Sequence, residues 1–527
     1  MFIIIIALAL SFIIKLLFIY RFSNDDWHHM WLISWHSKKR KLNYELRNCI
    51  PNGEFTYPSL VFFLISRFKK KFRKPLAIST NYIADILSCF IVFLIGIKIQ
   101  EYAIPNNSIY GFSLPIIVTI IYYTSPSLSP YIARIGGISP RPLGTFIFLC
   151  FALTAIISFE KNSLFSFFVL ISLNIFAFMI SMFCSQVLLF ASIGLSILIN
   201  YYQPLVALII SYILPFILDI KVKQNILYSF NFKLWYIDNY KNSSAQNINF
   251  IKGLFKVFSF KRLPYVYRYN ELFVNNSLCI LAIFHPLLLI LLIYFIDNPV
   301  NLLIYPNEIK VIITLLFSCI FGFVISSFSY FKILGSPQRY LEYSLAFYIL
   351  LFPFFFGKDL NHFFLLAILI YNVILSLIIL PHVKFQKYNN NLNINKDIEN
   401  ASKYINENIK CGRIFVNPFK ESFIYLYLQS EGYIHNKIKF YNRFILRKNE
   451  RAFKYYTEDI FYEKCGINFE SFYQNSSKVL KEKYNISHIV LDKSWFKYLP
   501  NKVSNNIKKD LKKNVVYTSN KIVIYKA

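Results

Sequence analysis

Two adjacent carboxylates, Asp25 and Asp26, follow directly on an apolar segment, residues 2–20, that is long enough to cross a bilayer. Carboxylates beside lipid are costly to hold, so a pair of them marks a site. A carboxylate there can take the proton from an acceptor hydroxyl, or hold a divalent cation against a phosphate leaving group. Asn24 or Asp25 can also cap a helix beginning at Asp26, and capping does not exclude catalysis. His28 and His29 come next. Neighbouring histidines on a helix point about 100° apart, which disfavours a shared metal ion. They are expected to be interfacial residues that support the acidic pair, with a metal site on Asp25 and Asp26 left open.

Arginines supply the complementary chemistry. Arg134 and Arg141 lie within a Pro/Gly-rich run, residues 125–142, between two apolar segments. Arg339 opens another apolar segment in the run Arg339-Tyr340-Leu341-Glu342-Tyr343. A guanidinium grips a phosphate with a fork of donors, which suits all three arginines to an anionic donor. Arg339 and Glu342 share a helix face, so a local ion pair is the competing reading.

These residues need a membrane scaffold to position them. The chain has 527 residues, 56% hydrophobic and 19% aromatic, well beyond the apolar share of an ordinary soluble domain. Eleven apolar segments approach spanning length: 2–20, 78–98, 111–125, 142–158, 164–181, 184–200, 203–219, 276–296, 309–331, 341–357 and 361–381. Residues 57–68 are too short to cross and suit a helix lying in the interface. In that arrangement loops 21–77 and 220–275 and the tail 382–527 share one face, and together they carry +29 of the net +30. The positive-inside rule would make that face cytoplasmic. Loop 220–275 interleaves Lys and Arg with Phe, Trp and Tyr, a composition suited to anionic headgroups and, in a polytopic chain, not to nucleic acid. Lys15, Asp85 and, at the very end of its apolar segment, Asp219 are the few charges expected inside the membrane, and Asn81 lies one turn before Asp85. The eight cysteines show no zinc-ligand spacing.

The tail changes composition at a polar linker near residue 386. Helical pattern at 397–409, strand-like 413–416 and 488–491, and a hairpin over 514–518 and 521–525 predict a small α/β domain. The expected organisation is a transmembrane module, 1–385, and a soluble domain, 386–527.

The arrangement resembles the GT-C superfamily of membrane glycosyltransferases. The resemblance rests on the acidic pair Asp25/Asp26, on Tyr57-Pro58-Ser59-Leu60 as the start of an interfacial helix, on Ser139-Pro140-Arg141-Pro142-Leu143-Gly144, and on Arg339 to Tyr343. The mostly α chain with about eleven expected transmembrane helices and a terminal α/β domain agrees with it, and it implies a polyprenyl-phosphate-linked sugar donor, an inverting mechanism and a catalytic face outside the cytoplasm. Asp25 or Asp26 would be the base. Arg141 or Arg339, with Arg134, would meet the donor phosphate, supported by His28, His29, Tyr57, Tyr340 and Glu342. The family topology opposes the charge count, but a basic face also suits an anionic donor. A bacterial plasma membrane is the expected location, and a lipid, glycan or protein the acceptor. The competing readings are a transporter of lipid-linked saccharides, which tends to carry internal repeats and mid-membrane charges, and a polysaccharide polymerase or ligase.

Overall fold

The computed structural model describes residues 2–19, 29–30, 32–34, 36–37, 44–46, 49–50, 53–55, 58–102, 113–128, 140–161, 163–218, 220, 222–227, 229–230, 276–328, 331, 334–335, 337–356, 366–378, 396–409, 414–416, 440–441, 445–446, 487–493, 514–520 and 522–526. They fall into two compact units. One takes Met1–Arg21, Leu76–Ile226 and Asn247–Lys387, and the other Phe22–Pro75, Leu227–Gln246 and Tyr388–Ala527.

The first unit is helical. Its elements are α1 (Phe2–Ile19), most of α3 (Lys70–Gln100), α4 (Leu114–Thr124), α5 (Arg141–Lys161), α6 (Leu164–Ile180), α7 (Met182–Ile199), α8 (Gln203–Ile217), α9 (Ser277–Phe284), α10 (Pro286–Asp297), α11 (Asn307–Ser327), α12 (Gln338–Phe356) and α13 (Leu366–Ile378). Each of the eleven apolar segments thus holds helix. By length and composition, however, four helices among the described residues can cross a bilayer: α3, α5 up to Phe159, α7 and α11. The α9–α10 pair makes a fifth if it counts as one span, bent by 95°. Two of the other segments are ended or broken by local chemistry. Ser181 turns to extended backbone and its hydroxyl accepts from Cys184 N at 3.4 Å, which ends α6 and starts α7. Pro286 has no N–H to continue α9. The core is aromatic and aliphatic, with Phe148, Phe151, Phe347, Tyr122 and Tyr340 fully buried.

Among the described residues the second unit has helical residues 29–30, 32–34 and 36–37 and the short helix α2 (Leu60–Ser66). Seven residues rise about 10 Å, far below the bilayer core, so α2 does not span. Its core is a four-stranded sheet in the order β4-β7-β9-β8, built from β4 (Ile414–Val416), β7 (His488–Asp492), β8 (Val515–Thr518) and β9 (Ile522–Lys526). β4 runs parallel to β7, and β9 is antiparallel to both β7 and β8. Helix α14 (Lys396–Asn408) contributes buried Ala401 and Ile405, while Val490 and Ile522–Tyr525 are buried in the sheet. The hairpin turns at Ser519, whose N–H donates to Ile522 O at 2.8 Å. These elements lie where periodicity places them. The helical patterns near 420–430 and 476–484 lie outside the described residues.

Two further pairings join distant segments of the second unit. β3 (Gly53–Phe55) pairs antiparallel with β1 (Tyr44–Leu46) and with β6 (Ile445–Leu446). β2 (Cys49–Ile50) pairs in parallel with β5 (Phe440–Tyr441). The segment after the first helix and the C-terminal tail therefore share backbone hydrogen bonds.

Candidate functional site

Three helix starts converge in the first unit. Thr145, one turn into α5, donates from Oγ1 to Glu342 Oε1 at 3.4 Å, one turn into α12. Cys184, in the first turn of α7, donates from Sγ to Gly144 O at 3.2 Å. Phe183 packs against Tyr340 and Tyr343 with ring centroids 4.7 and 5.8 Å away. The approach needs a glycine at 144, because a Cβ there would lie 2.7 Å from the Tyr343 hydroxyl and 3.2 Å from Cys184 Cβ.

This junction sets two arginines at the same end of neighbouring helices. Arg141 is the first residue of α5, one turn before Thr145. Arg339 is the second residue of α12, one turn before Glu342, and its guanidinium carbon lies 5.4 Å from the Phe183 ring centroid. Gly335 leads into α12 with φ +92°, a left-handed conformation that L side chains resist. First-turn N–H groups lack helical partners and carry partial positive charge. Helix starts with two guanidiniums make a place for a phosphate or a comparable anion. Glu342 is buried, 3% exposed, and accepts a hydrogen bond from Thr145 on the neighbouring helix.

The remaining expected residues are placed as follows. Tyr340 is wholly buried, its hydroxyl 3.2 Å from Leu334 O and 3.4 Å from Gln186 Oε1. His29 belongs to the second unit and is buried, its ring stacked on Phe62 with centroids 4.5 Å apart. Asp25, Asp26, His28, Tyr57 and Arg134 lie outside the described residues. Among the described residues no three His, Cys, Asp or Glu groups gather as a metal site.

Two further polar clusters sit among the apolar helices. Lys15 Nζ of α1 lies 3.7 Å from Asp85 Oδ2 of α3, with both side chains 6% exposed, and 3.9 Å from the Tyr123 ring centroid. Tyr82 and Tyr123 bring their hydroxyls to 3.4 Å beside it. Both charges are visible in the sequence, and their pairing across helices is not. The second cluster stabilises the α9–α10 break. The Tyr371 hydroxyl donates to Ile283 O at 2.6 Å and Ser127 Oγ to Phe284 O at 3.1 Å, two carbonyls that the bend exposes. His285 lies between, its Nδ1 3.0 Å from the Tyr348 hydroxyl and its Nε2 3.4 Å from Ser127 Oγ. A cavity of about 240 Å³ adjoins Tyr348, Phe284 and Asn372. His285-Pro286 inside a long apolar run is the sequence signal for this cluster, and the sequence reading missed it.

No family model matches the chain, and no curated protein matches it significantly.

Proposed function

We propose that the chain is an integral membrane glycosyltransferase that moves a sugar from a polyprenyl-phosphate donor to an acceptor hydroxyl. Asp25 or Asp26 takes the hydroxyl proton. The acceptor oxygen forms the new bond to the anomeric carbon with inversion as the sugar–phosphate bond breaks. Polyprenyl phosphate leaves, and Arg141 and Arg339 meet the charge it gains. The observation that carries this reading is the Thr145–Glu342 contact, which holds Arg141 and Arg339 at one end of two adjacent helices. The β1–β3–β6 and β2–β5 pairings add support, since segments that share backbone hydrogen bonds lie on one side of a membrane. The reading needs the acidic loop and the basic tail on one face.

The second reading is a transporter of lipid-linked saccharides. It is favoured by the 95° break between α9 and α10 and by the intramembrane Lys15–Asp85 pair, both common in transporters. The full chain in proteoliposomes with a radiolabelled polyprenyl-phosphate sugar separates the two. Acceptor-dependent release of polyprenyl phosphate supports the transferase. Sugar crossing the bilayer still linked to its lipid, with no release, overturns it.

A further inference from the structure

The corner between α2 and α3 carries the densest charge in the chain. Six cations, Arg67, Lys69, Lys70, Lys71, Arg73 and Lys74, fall within eight positions that hold no acid. Arg67 and all four lysines are exposed. Large apolar side chains are exposed among them: Leu64 at 53%, Phe68 at 52% and Phe72 at 48%. The backbone is tightly made, with Arg73 Nε donating to Phe68 O at 2.8 Å and Arg67 stacked on Phe63 at 4.2 Å.

Helix stability does not explain this cluster. Lys69/Arg73 and Lys70/Lys74 are like-charge pairs at four-residue spacing, which are mildly unfavourable. The first turn of α3 contains no acidic residue, and cations at a helix start oppose its dipole. Position is the second clue. α3 has 31 residues and rises about 46 Å, against a bilayer core of about 30 Å. Its apolar run begins near Leu76, so the basic turn projects just beyond the hydrocarbon. Exposed phenylalanines between long cationic side chains match a surface with its rings at the acyl boundary and its amines at headgroup phosphates.

We propose that this corner is a docking surface for anionic phospholipid headgroups of the bilayer that α3 crosses, with Phe68 and Phe72 inserted as anchors. The occupant follows from charge complementarity with six cations and from continuity with an apolar helix. The proposal is independent of the transferase reading.

The test uses the full chain with Phe72→Trp in nanodiscs, reading the tryptophan signal added over wild type. Brominated phosphatidylglycerol and brominated phosphatidylcholine are supplied as quenchers at equal mole fraction in the same mixture. Quenching by the anionic lipid should be preferred at least about fivefold at low salt, the effect of one engaged cation near an anionic surface. High salt, or Lys69→Gln, Lys70→Gln, Lys71→Gln and Lys74→Gln together, should erase the preference while quenching persists. Equal quenching by both lipids overturns headgroup recognition. Quenching by neither overturns insertion and leaves the corner facing water or a protein partner. The lipid comparison needs no charge variant, so misfolding of the four-lysine variant does not rescue a failed result.

Discussion

Thr145 and Glu342 meet at 3.4 Å across two helices, and each lies one turn past an arginine at its helix start. The contact is buried, so it fixes the lateral and axial relation of α5 to α12 and with it the spacing of Arg141 and Arg339. Glu342→Ala should leave the Thr145 hydroxyl without this acceptor and loosen that spacing. The expected cost is about 1–3 kcal/mol in stability, with a larger rise in donor KM than loss of kcat. Glu342→Gln keeps an acceptor oxygen and should recover most of the KM. Thermal unfolding in detergent and donor titration measure both. Equal donor KM in wild type and Glu342→Ala would disconnect the contact from the arginines.

Lys15 and Asp85 are the ion pair among the described residues, and both are buried in helices. Removing one partner of a buried pair typically costs about 3–5 kcal/mol, because the other charge is left uncompensated. Lys15→Met alone should therefore lower the thermal midpoint sharply, as should Asp85→Leu. The double variant Lys15→Met/Asp85→Leu should recover much of the loss, since two apolar side chains then face each other. A double variant no more stable than the worse single one would show that the pair is not coupled.

The tail sheet should respond to acid through His488. Burial, and then the charge of Lys526 on the paired strand, holds its imidazole below the usual histidine range. Above the unfolded-state pKa near 6.5 both states are neutral and nothing is lost. As the pH falls below that value the unfolded chain takes the proton first, so stability falls until the depressed folded-state pKa is passed. His488→Gln cannot titrate and should abolish this part of the slope. Proteolysis rates of the full chain, compared between wild type and His488→Gln at each pH, cancel the protease's own pH dependence. Identical slopes would remove His488 as the cause.

Apolar runs made the helices legible, and strand patterns did the same for β4, β7, β8 and β9. Strands of two or three residues carry no periodicity, so the pairing of Cys49–Ile50 with Phe440–Tyr441 left no trace in the sequence. The Arg339–Glu342 spacing was readable as one face, but Glu342's hydrogen bond from Thr145 arises between helices nearly 200 positions apart. Cross-helix contacts of this kind depend on packing, which short motifs do not encode. Lys15 and Asp85 were recognisable as intramembrane charges, and their union was hidden for the same reason. The stacking of His29 on Phe62 was hidden in the same way, because the two lie far apart in sequence.

Strand pairing between residues 44–55 and 440–446 predicts a single sidedness for the first loop and the tail. Glu45→Cys and Asn400→Cys, in a background lacking Cys49, Cys411 and Cys465, should label from the same side of sealed vesicles. The transferase reading adds that this side is outside the cytoplasm. Labelling of the two positions from opposite sides would break the one-face arrangement.

The acidic pair is the remaining test of the chemistry. A sugar leaving with polyprenyl phosphate already has a stabilised leaving group, so the difficult proton is the one on the acceptor hydroxyl. A carboxylate in contact with that hydroxyl removes it as the new bond forms. Losing a positioned base commonly reduces rate by about 10²–10⁴-fold. Asp25→Asn and Asp26→Asn keep size and hydrogen-bonding atoms but cannot accept the proton at neutral pH. One of them should lose transfer in that range while donor KM, expression and membrane insertion stay near wild type. His28→Ala should cost less, because an interfacial histidine only supports the loop. Arg339→Lys should act the other way, raising donor KM most, since an ammonium does not replace a two-pronged guanidinium contact. Wild-type turnover in both Asp→Asn variants with a functional donor would reduce the pair to a helix cap, and the transferase reading would lose its base.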